Sequence, residues 1–142
     1  MGRYTFLEDV APADCAIELE GQDLDDLFET AAAALAELMV DPTTVPREVD
    51  RTITVTAPEL DLLLYDWLAE LIYRKDRDRE VFTRARATVS GTGPFQVEAQ
   101  AQGGAIDPAR TLLRADPKAV TLHQLAVTRV ASGWRARVVI DI

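Results

Sequence analysis

The chain has 142 residues, a hydrophobic fraction of 48% and a formal net charge of −9. That length fits a single domain, 1–142, with a sizeable core, and the acidity argues against binding a phosphate backbone, so no direct nucleic-acid contact is expected. The longest strongly apolar run, Ala31 to Ala36, is far too short to span a bilayer, which excludes a helical membrane anchor.

Residues 4 to 10 start as a strand, and Val10-Ala11-Pro12-Ala13-Asp14 reads as a turn. Cys15 to Glu20 alternates, with Cys15, Ile17 and Leu19 on one side and Glu18 and Glu20 on the other, which predicts a half-buried strand. Asp23 is a good N-cap, and Leu24, Leu27, Phe28, Ala31, Leu35, Leu38 and Met39 form the apolar stripe of a helix to about Val40. Asp41-Pro42 stops it, and Pro46 to Asp50 is a loop. Arg51 to Thr56 alternates as a strand and feeds the most strongly patterned stretch of the chain. There Leu60, Leu63, Leu64, Trp67, Leu68, Leu71 and Ile72 follow one helical face. Thr56 and Glu59 have the spacing of a capping box, with Pro58 in the first turn. The mixed charge run Arg74 to Glu80 reads as a solvated helix end and loop. Val81 to Ser90 and Phe95 to Gln102 form a hairpin around Gly91-Thr92-Gly93-Pro94, and Gly103 to Asp116 is irregular. Lys118 to Val130, a tight turn at Ala131-Ser132-Gly133, and Trp134 to Ile142 make the last two strands. In the final strand Trp134, Ala136, Val138, Ile140 and Ile142 share one face, and Arg135, Arg137, Val139 and Asp141 the other. The pattern predicts an α+β domain with two amphipathic helices packed on a largely antiparallel (mixed) β-sheet.

No P-loop, dinucleotide fingerprint, nucleophile elbow or zinc motif is present. One cysteine, Cys15, and one histidine, His123, cannot build a structural zinc site. The single cysteine also excludes an internal disulfide and fits a reducing cytoplasm. With no signal-peptide pattern at the start, a cytoplasmic location is expected. Three points stand out. Asp14 lies in a turn between short apolar residues. Asp141 next to Ile142 places two carboxylates at the end of the sequence. Lys118 is one of two lysines, against thirteen arginines, and lysine offers a compact point charge where arginine offers a planar fork. For each of these, surface solvation is the ordinary reading. For His123, a lone histidine in a strand, it is a satisfied structural role.

Six stretches in order resemble the archease family, small accessory proteins of RNA ligases. Tyr4-Thr5-Phe6-Leu7-Glu8 opens the chain as that family opens. Ala13-Asp14, with Ile17 and Gly21, resembles its His-Thr-Ala-Asp turn and following strand. Leu24 to Asp41 and Leu62 to Tyr73 resemble its two helices. Lys118-Ala119-Val120-Thr121-Leu122-His123 and Trp134 to Ile142 resemble its last two strands. The resemblance covers essentially the whole chain. It departs at Ala11-Pro12, where the family has His-Thr, at Cys15-Ala16, and at Leu122, where an aromatic residue is common.

The resemblance implies an archease-like fold and an activator rather than an enzyme. Its partner would be an RtcB-class RNA ligase of tRNA splicing and RNA repair. The activator promotes guanylylation of the ligase histidine and multiple turnover. It further implies a divalent metal held by Asp14, Asp141 and Ile142, with Lys118 as the functional lysine. An all-oxygen set suits Ca²⁺, Mg²⁺ or Mn²⁺. The alternatives are a stand-alone metal-dependent hydrolase, with His123 as the available base, and a metal-free, chaperone-like interaction module.

Overall fold

The computed structural model describes residues 2–7 and 14–142. Seven strands and two helices run in the order β1 (Arg3–Leu7), β2 (Asp14–Gly21), α1 (Leu24–Met39), β3 (Val49–Ala57), α2 (Leu60–Asp78), β4 (Glu80–Gly91), β5 (Phe95–Ala105), β6 (Ala119–Val130) and β7 (Gly133–Asp141). The α+β expectation holds. The strands divide into two sheets, ordered β1-β2-β7-β6 and β3-β5-β4, and each ladder among the described residues is antiparallel. The expected turn over Val10–Ala13 lies outside the described residues.

Helix α1 begins where Asp23 accepts from the backbone N–H of Asp26 at 2.8 Å, while the Asp26 carboxylate reaches back to the N–H of Gln22 at 2.9 Å. Its alanines are buried on several sides of the helix: Ala31, Ala32, Ala34 and Ala36 are all within the core. Small side chains let the helix axis come close to its neighbours, and α1 touches strands of both sheets. It runs along the outer edge of β4. There Glu29 accepts from the N–H of Ala87 at 2.8 Å and Asp25 from that of Val89 at 2.7 Å. These carboxylates satisfy strand donors that have no neighbouring strand to bond.

Helix α2 buries the predicted stripe. Leu63, Leu64, Trp67, Leu68, Leu71 and Ile72 are all 3% exposed or less, with Leu60 half-buried at the start. The indole N–H of Trp67 donates to the carbonyl of Phe28 at 3.0 Å, which ties α2 to α1 inside the core. Two expectations are corrected here. The capping box is absent: Glu59 is the N-cap and makes no side-chain cap bond, because Thr56 belongs to β3, opposite Gln96. The charge run is a solvated end only in part, with Asp76 to Arg79 exposed. The helix continues to Asp78, Lys75 is buried, and Glu80 opens β4 in a buried position beside Arg51, at 2.8 Å. The β5 strand also runs on to Ala105, so the irregular segment begins at Ile106. Among the described residues no helix is long and apolar enough to cross a membrane.

Candidate metal and partner site

The ladder between β2 and β7 positions the site. Eight consecutive pairs run from Asp14 opposite Asp141 to Gly21 opposite Trp134. Its register follows from burial: Ile17 faces Val138 and Leu19 faces Ala136, all core residues. A slip of one residue would turn those side chains out. With that register fixed, Asp14 and Asp141 must be direct cross-strand neighbours on the other face, with Cβ atoms roughly 4.5–5.5 Å apart. Asp14 is therefore the first residue of β2 and not a turn residue, a correction to the sequence reading.

The same face shows what is unusual about this rung. Two rungs further along it pair Glu18 with Arg137 and Glu20 with Arg135, acid against base. The first rung sets acid against acid. Like charges directly opposite are destabilising in a sheet. The rung between them, Ala16 and Val139, is fully buried, so the two carboxylates stand at the border of a dry patch, where charge is less screened. A hard cation is the group that fits two adjacent carboxylates with oxygen donors alone. Among the described residues no set of three or more His, Cys, Asp or Glu side chains is grouped closely enough to hold an ion. Coordination beyond the pair would fall to backbone oxygens, water or a partner. Ile142 follows Asp141 directly. Its side chain packs against the core, which holds its backbone beside the pair.

Lys118 sits just before β6, exposed, and its backbone N–H donates to the carbonyl of Asp141 at 2.7 Å. The next residue, Ala119, is the ladder partner of Asp141. Asp14, Asp141, Ile142 and Lys118 thus meet at one end of the four-stranded sheet. His123 does not join them. It is exposed in an irregular stretch of β6, where the register shifts between Thr121 and Ala126 and Gln124 takes a φ of 55°. A hydrolase would need a base beside the carboxylates, and His123 lies four residues beyond the position that pairs with Asp141.

Cys15 is next to Asp14 but points to the core face, opposite Ile140. Burial raises its thiol pKa above the usual value. Iodoacetamide at pH 8 should therefore modify Cys15 more slowly than free cysteine, because less of it is thiolate. Full reactivity should return in denaturant. Equal rates in the folded protein would contradict the burial.

Two residues that the sequence reading passed over lie close by. The ammonium of Lys75 hydrogen-bonds the carboxylate of Asp116 and contacts that of Asp76 at 2.7 Å. Asp116 and Pro117 immediately precede Lys118. The Asp-Pro step was visible in the sequence, but its partner was hidden inside a run of charges.

Comparison with known proteins adds the family. Residues 4–142 match the Archease protein family (MTH1598/TM1083). Protein archease of Methanosarcina mazei is 34% identical over 142 residues, covering 99% of this chain and 96% of the relative. Protein archease of Pyrococcus furiosus is 31% identical, covering 92% and 93%. The solution structure of Methanobacterium thermoautotrophicum protein 1598 is 30% identical with a TM-score of 0.80, covering 98% of each chain. A Thermotoga maritima crystal structure, described as an archease and possible chaperone, shares the fold at a TM-score of 0.61, 19% identity and 93% coverage of each chain. With residues 4–142 matched by the family and relatives above 30% identity covering nearly all of it, this chain belongs to the archease family.

Proposed function

We propose that the chain is a metal-dependent accessory protein that activates an RtcB-class RNA ligase by promoting its guanylylation and multiple turnover. The observation that carries this reading is the Asp14–Asp141 rung, with Lys118 hydrogen-bonded to the same Asp141. Among the described residues no third acidic, His or Cys side chain is grouped beside the two carboxylates, an arrangement that suits a cation with exchangeable positions. Nucleotidyl transfer needs the triphosphate and the attacking group in line and the developing charge stabilised. A divalent ion bound at this end would supply charge neutralisation for phosphate oxygens. The chain's own residues do the rest. Asp14 and Asp141 hold the ion on a rigid ladder, Ile142 offers backbone oxygen, and Lys118 presents an exposed ammonium beside them. With a net charge of −9, the protein is steered to a basic mouth on its partner rather than to RNA.

The test is single-turnover guanylylation of the cognate ligase with each purified variant, with circular dichroism as the folding control. Asp141→Ala and Lys118→Ala should each abolish stimulation while remaining folded. Folded Asp141→Ala protein that stimulates like wild type would end the proposal.

A further inference from the structure

Lys75 is an expensive residue to keep in the core. It is 4% exposed, and a buried ammonium is unfavourable unless paired. It is not needed to close α2. That helix ends on Arg79 in a left-handed conformation, whose N–H already donates to the Lys75 carbonyl at 2.9 Å. The side chain instead reaches across to two consecutive residues of the segment between β5 and β6. It bonds the carboxylate of Asp116 and lies 3.4 Å from the carbonyl oxygen of Pro117.

The next residue is Lys118. Upstream, the segment is held to the end of α1, where Arg114 donates to the Met39 carbonyl at 2.8 Å and Ala115 to that of Leu38 at 3.1 Å. Downstream, it is held to β7 through the Lys118 N–H on the Asp141 carbonyl. Between those two anchors Pro117 is buried, and the only side-chain hydrogen bonds to residues 116 and 117 that the described residues show come from Lys75. Asp116 itself is largely exposed, its side chain 84% accessible, so its place is not fixed by packing. The Lys75 hydrogen bond, with the charges of Lys75, Arg79 and Lys118, holds the Asp116 carboxyl below its usual pKa.

We infer that Lys75 is a positioning residue: through Asp116 and the Pro117 carbonyl it fixes the strand entry that presents Lys118 beside Asp141. The inference rests on the reading of Lys118 as the partner-facing cation, and it deepens that reading.

A merely structural lysine and a positioning lysine predict different results. Replacing a buried charge by an apolar side chain of similar volume is often neutral or stabilising, and Asp116, left alone, is solvated. Lys75→Met should therefore unfold at or above the wild-type temperature. Its Lys118 amide should nevertheless exchange with solvent at least about tenfold faster, while the amides of Ile17 and Val138 keep their protection. Lys75→Arg, which can still reach Asp116, should restore slow exchange. Asp116→Ala, a change at an exposed position that removes the acceptor, gives the same reading if Lys75→Met does not fold. In the guanylylation assay Lys75→Met should need more protein for half-maximal stimulation, with calcium affinity unchanged. Wild-type exchange at Lys118 in folded Lys75→Met or Asp116→Ala protein would overturn the inference. Undiminished stimulation by Lys118→Ala would instead overturn the ligase reading, and the exchange result would still decide the role of Lys75.

Discussion

Trp67→Ala is expected to destabilise the fold by about 3–5 kcal/mol, the range for deleting a large buried aromatic side chain. Trp67 is fully buried, and its N–H is the bond that ties α2 to the backbone of α1 at Phe28. The substitution opens a cavity and also strands the Phe28 carbonyl, which places the effect at the upper end of that range. A domain of this size holds only about 5–15 kcal/mol in total. Trp67→Phe separates the two losses. It keeps most of the ring volume and removes only the donor, so it should cost about 1–3 kcal/mol. Urea unfolding followed by circular dichroism reads both. A loss below about 1 kcal/mol for Trp67→Ala would show that the two helices do not depend on this contact.

The second large effect should change sign with the metal. Without a divalent ion, the Asp14–Asp141 rung is a like-charge pair held face to face by the ladder. Asp141→Asn should then raise the unfolding temperature, because a repulsion is removed. With calcium in the buffer the order should reverse. A ligand that binds only the folded state adds about 2.7 kcal/mol when present at 100 times its dissociation constant, and the variant should forgo that gain. If Asp14 and Asp141 hold one ion, as proposed, the combined effect of Asp14→Ala and Asp141→Ala on stimulation should be far less than additive. Thermal scans with calcium and with chelator test this directly. Scans of wild type that do not move with calcium would remove the metal from the account.

The parts of this protein that could be read from its sequence are those where one face is apolar. The stripe on α2 named its buried residues, and the alternation in β2 and β7 named both faces of the ladder that carries Asp14 and Asp141. The lysine that stood apart by residue type, Lys118, lies at that same end. What could not be read depends on contacts between distant parts of the chain. Thr56 and Glu59 had the right spacing for a cap, yet sheet pairing claimed Thr56 first. Lys75 sits among Arg74, Asp76, Arg77 and Asp78 and looks solvated there. The arrival of Asp116, 41 residues later, adds to Asp76 the second carboxylate that makes its burial tolerable. The division into two sheets left no local trace, because pairing partners such as β2 and β7 are far apart in the chain.

The carboxylates of Asp25 and Glu29 on the edge of β4 divide the mutational freedom of this region unevenly. What they grip is backbone N–H at Ala87 and Val89, a group every residue but proline supplies. The strand positions are therefore constrained in size by the core but not in hydrogen-bonding chemistry, with proline the one exclusion. The helix positions are constrained in chemistry and in length. One turn apart, they place an acceptor on a one-carbon stem at 25 against Val89 and on a two-carbon stem at 29 against Ala87. Exchanging the two acids would keep charge, composition and helix propensity almost unchanged and still misplace both acceptors. A substitution scale built on residue similarity would score that exchange as mild, whereas the geometry of the border makes it a double loss.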